Sequence, residues 1–354
     1  MSSLVSIVIP HWNHRDVLDD CLNSVIKTKY EPIEIIVVDN NSTDDSVEYV
    51  RANFAQVKVI ENSENLGFAG GCNVGVKNAS GEFIAILNND TTQDPEWLTH
   101  LTQFMIEHPE VGVVQPKLIN ARDASQFDYS GAAGGFMDKY GFPFARGRIY
   151  KVVEDDTGQY QGSIPIFWAS GTACLLRREV YQEVGLFDET FFAHMEEIDF
   201  DWRAQLAGWD IYAVPDAVVY HHSGYTLPAE SPFKKYLNHR NSVYMLLANY
   251  KTYYTIIRGM QRFMLDIAAA LFTLFRGEAD RTKAIFKAWG WIFAHPGSII
   301  QKRRKVRAVR KLSDKDMNKK LYHASIALEH YIGASKIWDG KRHAIEAFGG
   351  KRQG

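Results

Sequence analysis

The feature that most constrains this chain is the rhythm of its first 120 residues, where short apolar runs alternate with amphipathic stretches. Val5–Pro10 reads as a buried strand, and Val17–Ile26 has helical apolar spacing. Ile33–Val38 reads as a second strand, and Ser42-Thr43-Asp44-Asp45 as a helix N-cap with acids in the first turn. Val57–Ile60 gives a third strand, after which the Gly67–Gly71 turn leads into a short helix ending near Ala79. Phe83–Leu87 is the fourth strand, and Asp94-Pro95-Glu96 opens another helix with proline at its first position. Strands separated by helices of this length make an α/β fold with a doubly wound, mainly parallel sheet. Ligands of such sheets lie beyond the carboxyl ends of the strands. The polar residues that follow each strand therefore carry the most weight: Pro10-His11-Trp12-Asn13, Asp39-Asn40-Asn41, Asn62–Asn65 and Asn88-Asn89-Asp90.

Beyond this stretch the signals weaken. Residues 120–165 are rich in Gly, Asp and aromatics without a clear period, and read as loop with short strands. Phe167–Leu176 is strand-like, Arg178–Gly185 a short helix, and Glu196–Ala207 a helix ended by Gly208. Asp210–Tyr220 carries two strand fragments, and from Ser231 the pattern is helical to the end. A length of 354 residues suits two modules, and 46% apolar with 23% charged residues excludes a disordered or collagenous chain. Cys21, Cys72 and Cys174 are too scattered for a metal-ligand pair or a disulfide framework, which points to a reducing compartment. The start lacks a basic segment before its apolar run, so that run reads as a strand rather than a signal peptide. The net charge of −2 conceals a split: residues 1–240 hold 18 Lys+Arg and 34 Asp+Glu, residues 241–354 hold 22 and 8. The modules are therefore drawn at 1–240, acidic by 16 charges, and 241–354, basic by 14.

Four constellations carry chemistry, each with a plainer reading beside it. Asn88-Asn89-Asp90 at a strand tip suits a hard divalent cation, and is also a good turn. Asp39, after Val37-Val38, can accept a base N–H or cap the next helix. Glu196-Glu197 opens a helix, where acids serve the dipole, yet paired acids also raise a pKa toward that of a general base. His221 follows a strand, where a lone histidine is a metal ligand or a structural residue.

The order and spacing of these elements over about residues 4–245 resemble the family 2 glycosyltransferases with a GT-A fold, closest to the rhamnosyltransferase-like members of bacterial polysaccharide assembly. The resemblance rests on Val8–Asn13, Val37–Asp44, Asn65–Asn73, Leu87–Thr91, Gly185–Glu189, Glu196–Arg203 and Tyr220-His221. It implies that residues 1–120 form a nucleotide-binding half and 121–240 an acceptor half. Pro10, Asn13, Asp39, Asn65, Gly70, Gly71, Asn73, Asn88 and Asn89 would hold the nucleotide-sugar, with Asp39 on the pyrimidine. Asp90 would hold Mg²⁺ or Mn²⁺ against the diphosphate, His221 would complete that site, and Glu197 would be the catalytic base, flanked by Glu196 and Arg203. Three departures stand out. Asn88 replaces the first acid of the metal motif, Glu197 stands where Asp is common, and His11 replaces a small hydroxyl residue.

A nucleoside diphosphate leaves readily once its developing charge is neutralised, and a sugar hydroxyl needs a positioned carboxylate to take its proton. One base with no second nucleophile favours inversion. The expected activity is an inverting, metal-assisted transfer from a UDP- or dTDP-sugar to a glycan, lipid-linked, in cell-surface polysaccharide synthesis. A sugar nucleotidyltransferase and a non-catalytic nucleotide-sugar-binding subunit of a membrane synthase are the rival readings. In the basic module, Lys302–Lys311 carries seven cations and no acid, near the aromatics of 286–293. Arg303, Arg304, Arg307 and Arg310 are read as contacts to an anionic membrane surface. The nucleic-acid reading fails for want of a recognition motif. The expected location is the cytoplasm, peripherally on the inner face of the cell membrane.

Overall fold

The computed structural model describes residues 2–222 and 231–331. The expected helix at 332–354 lies outside the described residues. The chain runs β1 (Val5–His11), α1 (Arg15–Val25), β2 (Ile33–Asp39), α2 (Ser46–Asn53), β3 (Val57–Glu61), α3 (Gly67–Asn78) and β4 (Phe83–Leu87). It continues through β5 (Thr91–Gln93), α4 (Trp97–Glu107), β6 (Val111–Asn120), and the short strands β7 (Gly135–Met137), β8 (Pro143–Ala145), β9 (Arg148–Ile149), β10 (Val152–Val153) and β11 (Ile164–Pro165). Then come β12 (Ala173–Arg177), α5 (Arg178–Val184), α6 (Glu196–Leu206) and β13 (Asp210–His221). The helical region is α7 (Pro232–Asn249), α8 (Thr252–Phe275), α9 (Ala279–Ala294), α10 (Pro296–Val309), α11 (Asp314–Lys319) and α12 (Ile326–Tyr331).

The central sheet has the order β11-β13-β6-β12-β4-β1-β2-β3, with β5 on β13, and β7 to β10 form a small second sheet. Its first four strands are parallel, as expected for apolar runs buried on both faces. β12 is antiparallel to both neighbours, whereas β6 and β13 pair in parallel. All four carboxyl ends of β1 to β4 thus open on one edge of the sheet, where their polar residues converge. Helices cover both faces, with Leu18, Leu22, Leu98 and Leu101 packed on one and Ala69, Cys72 and Phe200 on the other.

Several local expectations change. Gly70 and Gly71 lie inside α3 rather than in a turn before it; a Cβ on Gly71 would meet the Asn40 amide at 2.7 Å and Pro10 at 3.3 Å. Glycine there lets the helix sit against the tips of β1 and β2. Residues 94–96 form a turn closed by Trp97 N–H on Asp94 O, so α4 starts after Pro95 instead of at it. The strand expected from Phe167 starts at Ala173, because residues 167 and 168 bond back to Gly135. Asp210–His221 is one strand whose two pieces are joined by a register shift between Val214 and Val218. The line drawn at 240 falls in the middle of α7, so the helical region begins at Pro232. It shares a core with the sheet region, in which Met137, Phe167, Trp202 and Leu206 pack on Val243, Tyr244, Trp289 and Val306.

Candidate active site

The crevice beyond the strand tips has two halves. In the first, His11 and Asp39 end β1 and β2 at paired positions, both buried. Asp39 accepts the Ser42 N–H on Oδ2 at 3.0 Å, which is the helix-side turn expected of it. Its other oxygen, Oδ1, is buried with no partner. Asn89 Nδ2 donates to His11 Nδ1 at 2.9 Å. Burial lowers the His11 pKa to about 4 against the pull of Asp39 and Asp44, so the ring is neutral with its proton on Nε2. That N–H is likewise buried without a partner. Two strand tips therefore present one donor and one acceptor, each lacking a protein partner and each costly to leave so. The next tip residue, Asn40, is tied back to Gly67 O and Asn62.

Asp90, past the tip of β4, is buried, and its Oδ1 lies 3.1 Å from Nε2 of His221 at the end of β13. Nδ1 of the same ring is 2.8 Å from Asp128 Oδ1. Burial opposes charge on this histidine, but its bonds to Asp128 and Asp90 outweigh burial and raise its pKa to about 10. No cluster of three or more His, Cys, Asp or Glu forms a closed metal cage among the described residues. The pair present still fits a hard cation that keeps water and phosphate oxygens in its shell. A carboxylate oxygen and an imidazole nitrogen meet at 3.1 Å, where a cation would take the place of the proton between them, and Asp128 orients the ring from behind.

The second half is the loop before α6. Phe192, His194 and Met195 all take positive φ, near 64°, 68° and 73°, a strained run for residues with side chains. It delivers Glu196 and Glu197 to the helix start. Each has a buried Oε2 without a partner. Burial raises both carboxyl pKa values, Glu197 toward neutrality, and for Glu196 the charge of neighbouring Glu197 adds to the rise. A Cβ on Gly171 would contact Phe68 at 3.1 Å and Glu197 Cβ at 3.8 Å. The carbonyl of neighbouring Thr172 takes the Asn88 N–H, so the acids stand over the tip of β4.

The strain is held from three sides. From α3, Ala69 N–H donates to Phe192 O, and a Cβ on Gly67 would strike that carbonyl at 2.5 Å. From α7, Asn241 Nδ2 reaches the carbonyls of Phe191, Ala193 and His194 at 3.1, 2.9 and 2.7 Å. From α10, Lys302 Nζ bridges Asp188 and Asp199, at 2.7 Å from each. Burial works against ionisation of Asp188, yet Lys302 wins and brings its pKa down to about 2.

Several residues expected to touch the donor also tie the frame together. The amide of Asn73 exchanges two bonds with Phe187 and adds one to Glu189, so it ties α3 to the loop and has no donor left. Asn13 accepts Thr43 N–H, and Asn65 accepts Gly67 N–H in a turn. Gly71 packs closely against Pro10 of β1, whereas a Cβ on Gly70 would meet Leu66 at the start of its own helix. Arg203 holds Asp199 and the carbonyls of Val184, Gly185 and Leu186. Asp128, Asn241 and Lys302 belong to the site and were missed. Asp128 sits in an aperiodic stretch with no signal, and Lys302 was hidden within a run of like charges.

The basic run on α10 divides. Arg303 donates to Leu247 O, Tyr250 O and Thr255, and Arg310 pairs with Asp314 and reaches Asn249 O. These two serve the helical bundle rather than a lipid surface, which corrects their reading as membrane contacts. Arg304 and Arg307 are exposed.

Comparison with known proteins bears on the family and the fold. Residues 6–185 match the model of glycosyl transferase family 2. The chain is 25% identical over 265 residues to an N-acetylglucosaminyl-diphospho-decaprenol L-rhamnosyltransferase of Mycobacterium tuberculosis (strain CDC 1551 / Oshkosh), covering 70% of this chain and 85% of the relative. It is 28% identical over 231 residues to the O-antigen biosynthesis protein RfbC of Myxococcus xanthus, covering 64% of this chain and 18% of that one. The mannosyltransferase PcManGT of Pyrobaculum calidifontis, solved with GDP-Man and Mn²⁺, superposes with TM-score 0.52 at 16% identity, over 96% of this chain and 88% of the other. GalNAc-T7, solved with UDP, GalNAc and Mn²⁺, gives 0.56 at 19% identity over 71% of this chain and 49% of its own. These two superpositions speak for the GT-A fold alone. With the family model matching half of its length, the chain belongs to glycosyl transferase family 2 and is a glycosyltransferase.

Proposed function

We propose that the enzyme is an inverting, metal-assisted transferase that moves a sugar from a UDP- or dTDP-sugar to a lipid-linked glycan in cell-surface polysaccharide synthesis. The observation that carries this reading is the pair of unpartnered carboxyl oxygens of Glu196 and Glu197 at the start of α6, where Glu197 lies beside Gly171 and the next residue, Thr172, takes the N–H of Asn88, two residues before Asp90. Glu197 takes the proton of the acceptor hydroxyl as that oxygen bonds the anomeric carbon. The bond from that carbon to the diphosphate breaks, and the nucleotide leaves with the electron pair. Attack from the face opposite the leaving group inverts the configuration. Glu196, whose pKa is raised by burial and by the neighbouring Glu197, retains a proton beside it in this reading, which keeps the pair from carrying two charges. A divalent ion held by Asp90 and His221 would neutralise the departing diphosphate.

His11 Nε2–H and Asp39 Oδ1 offer a base-binding edge. One donor beside one acceptor can meet a carbonyl and the ring N–H next to it, as in uracil and thymine; other bases can meet such a pair too, so the choice of uracil or thymine rests on the family resemblance. The lipid-linked acceptor is supported by the name of the mycobacterial relative. The location we propose is peripheral on the inner face of the cell membrane; no helix among the described residues is long and apolar enough to cross it.

A thermal-shift panel of UDP-, dTDP-, GDP- and CDP-sugars, each with and without Mn²⁺, tests the donor side. Binding to the folded state at 100 times Kd adds about 2.7 kcal/mol of apparent stability. Uridine and thymidine sugars should stabilise in the presence of Mn²⁺, and CDP-sugars should not. A response confined to CDP-sugars, or turnover undiminished in excess EDTA, would contradict the reading.

A further inference from the structure

We propose that the outward face of α8 is a docking surface for an anionic lipid bilayer, seated at the level of the headgroups. Surface helices ordinarily turn apolar residues inward and charges outward. α8 does the reverse. Its buried positions include Gly259, Thr273 and the ion pair of Arg262 with Asp266, whose nitrogen and oxygen are 3.0 Å apart. Asp266 also takes the Trp289 Nε1–H, and Arg262 donates to Ser242 and to Tyr140 O. The charges of this helix are therefore tied inward by specific partners, and no rotation exposes them cheaply.

Outward it shows Tyr253, Ile256, Met260, Met264, Leu271 and Phe275, between 51% and 88% exposed. Among its exposed side chains none is charged, over 24 residues. α9, which packs beside it, adds exposed Phe286 and Phe293. A stripe of this length greatly exceeds the isolated apolar residues that a solvated surface carries.

Charge selects the occupant. From Lys251 to Arg310 the exposed ionic residues are seven cations, at 251, 276, 283, 287, 304, 305 and 307, and two acids, Glu278 and Asp280. Glu278 is already paired with Arg276 and Arg281. An apolar stripe with Lys251 and Arg276 next to its ends and Lys283 and Lys287 on the neighbouring α9 complements anionic headgroups over acyl chains. A second copy docked face to face would bring like charges together. Residues 332–354 carry five Lys or Arg against two acids and offer no complement either. The surface needs no catalytic reading; only its use to reach a lipid-linked acceptor rests on the proposed function.

The native cysteines are all buried, so Met264→Cys provides one site for an environment-sensitive fluorophore. Phosphatidylglycerol-containing vesicles should shift its emission to the blue, and phosphatidylcholine alone should do so less. The same label at exposed Ala52→Cys on α2 should not respond. The double variant Met260→Glu/Met264→Glu should sediment with those vesicles roughly tenfold less than wild type, since its apolar insertion is lost. Its thermal midpoint and its nucleotide release from donor in solution should be unchanged. High salt should weaken wild-type binding without abolishing it, because screening removes the electrostatic part and leaves the apolar one. A label indifferent to every vesicle overturns the proposal. So does a label already shielded in solution, whether the double variant turns a dimer into a monomer in the ultracentrifuge or the chain's own end covers the face. None of these readings uses glycosyl transfer, so a failed catalytic assignment would register separately.

Discussion

The two halves of the crevice reach the same place by different means. On the strand side, His11 and Asp39 end paired strands whose ladder fixes them directly, and Asp90, just past β4, is tied down by the His222 N–H on its carbonyl. On the acid side, Glu197 is fixed by a strained loop that cannot hold itself. Asn241 and Lys302, 44 and 105 positions further on, supply the restraint. The acidic and basic regions therefore share one core and one set of ion pairs. Part of the charge split is neutralised across their interface, at Lys302–Asp188/Asp199, Lys311–Glu183 and Lys320–Asp210. A side chain on the strand side should govern donor affinity, and one on the loop side turnover or stability.

The largest effect that sharpens this contrast is expected at Lys302. Lys302→Met leaves Asp188 and Asp199 without their shared cation, and breaking a buried pair costs about 3–5 kcal/mol. The low end applies, since Asp188 keeps partial water contact (side chain 23% exposed). Arg304→Gln, two residues away and exposed, should stay within about 0.5 kcal/mol. Equilibrium unfolding of both variants checks this, and equal effects would break the comparison. The clamp has a pH signature as well. Because the folded pKa of Asp188 is depressed to about 2, its contribution is complete above the ordinary carboxylate range and is lost as pH falls toward 2.

A smaller effect is expected at Asn241. Asn241→Leu releases three carbonyls of the strained loop, and misplacing the base should lower kcat about tenfold or more. Donor affinity, measured by calorimetry, should not move. If affinity falls while kcat holds, the two halves are not separable as described.

The smallest is a shift in pH dependence. Burial raises the Glu197 pKa, so the acid limb of kcat should lie above the ordinary carboxylate range, toward neutrality. The folded state favours the protonated acid, so this carboxyl supports stability below its unfolded pKa and loses that support as pH rises. An acid limb at the pKa of a free glutamate would contradict the buried base.

What the sequence made legible follows the same division. Parallel strands and their polar tips are local patterns, so Asp39, Asn88-Asn89-Asp90 and the start of α6 are found from the chain alone. The partners of those residues are not. Asp128 lies 93 positions from His221, in a segment with no period. Seven adjacent cations look alike until the packing of α10 selects Lys302, Arg303 and Arg310 to turn inward. The inverted face of α8 is hidden for a related reason: Asp266 stands within an otherwise apolar run of the sequence, and only its ion pair with Arg262, one turn back, makes that side the buried one.

The central claim is that Glu197, braced on its loop, takes the acceptor proton while Glu196 stays protonated beside it. It is tested most directly by single-turnover transfer from a UDP- or dTDP-sugar in wild type, Glu197→Gln and Glu196→Gln, with donor affinity measured in parallel. The account predicts that Glu197→Gln slows transfer roughly 10²–10⁴-fold with donor affinity unchanged, and that Glu196→Gln, which keeps a neutral group there, slows it far less. Full activity in Glu197→Gln together with a dead Glu196→Gln would contradict it.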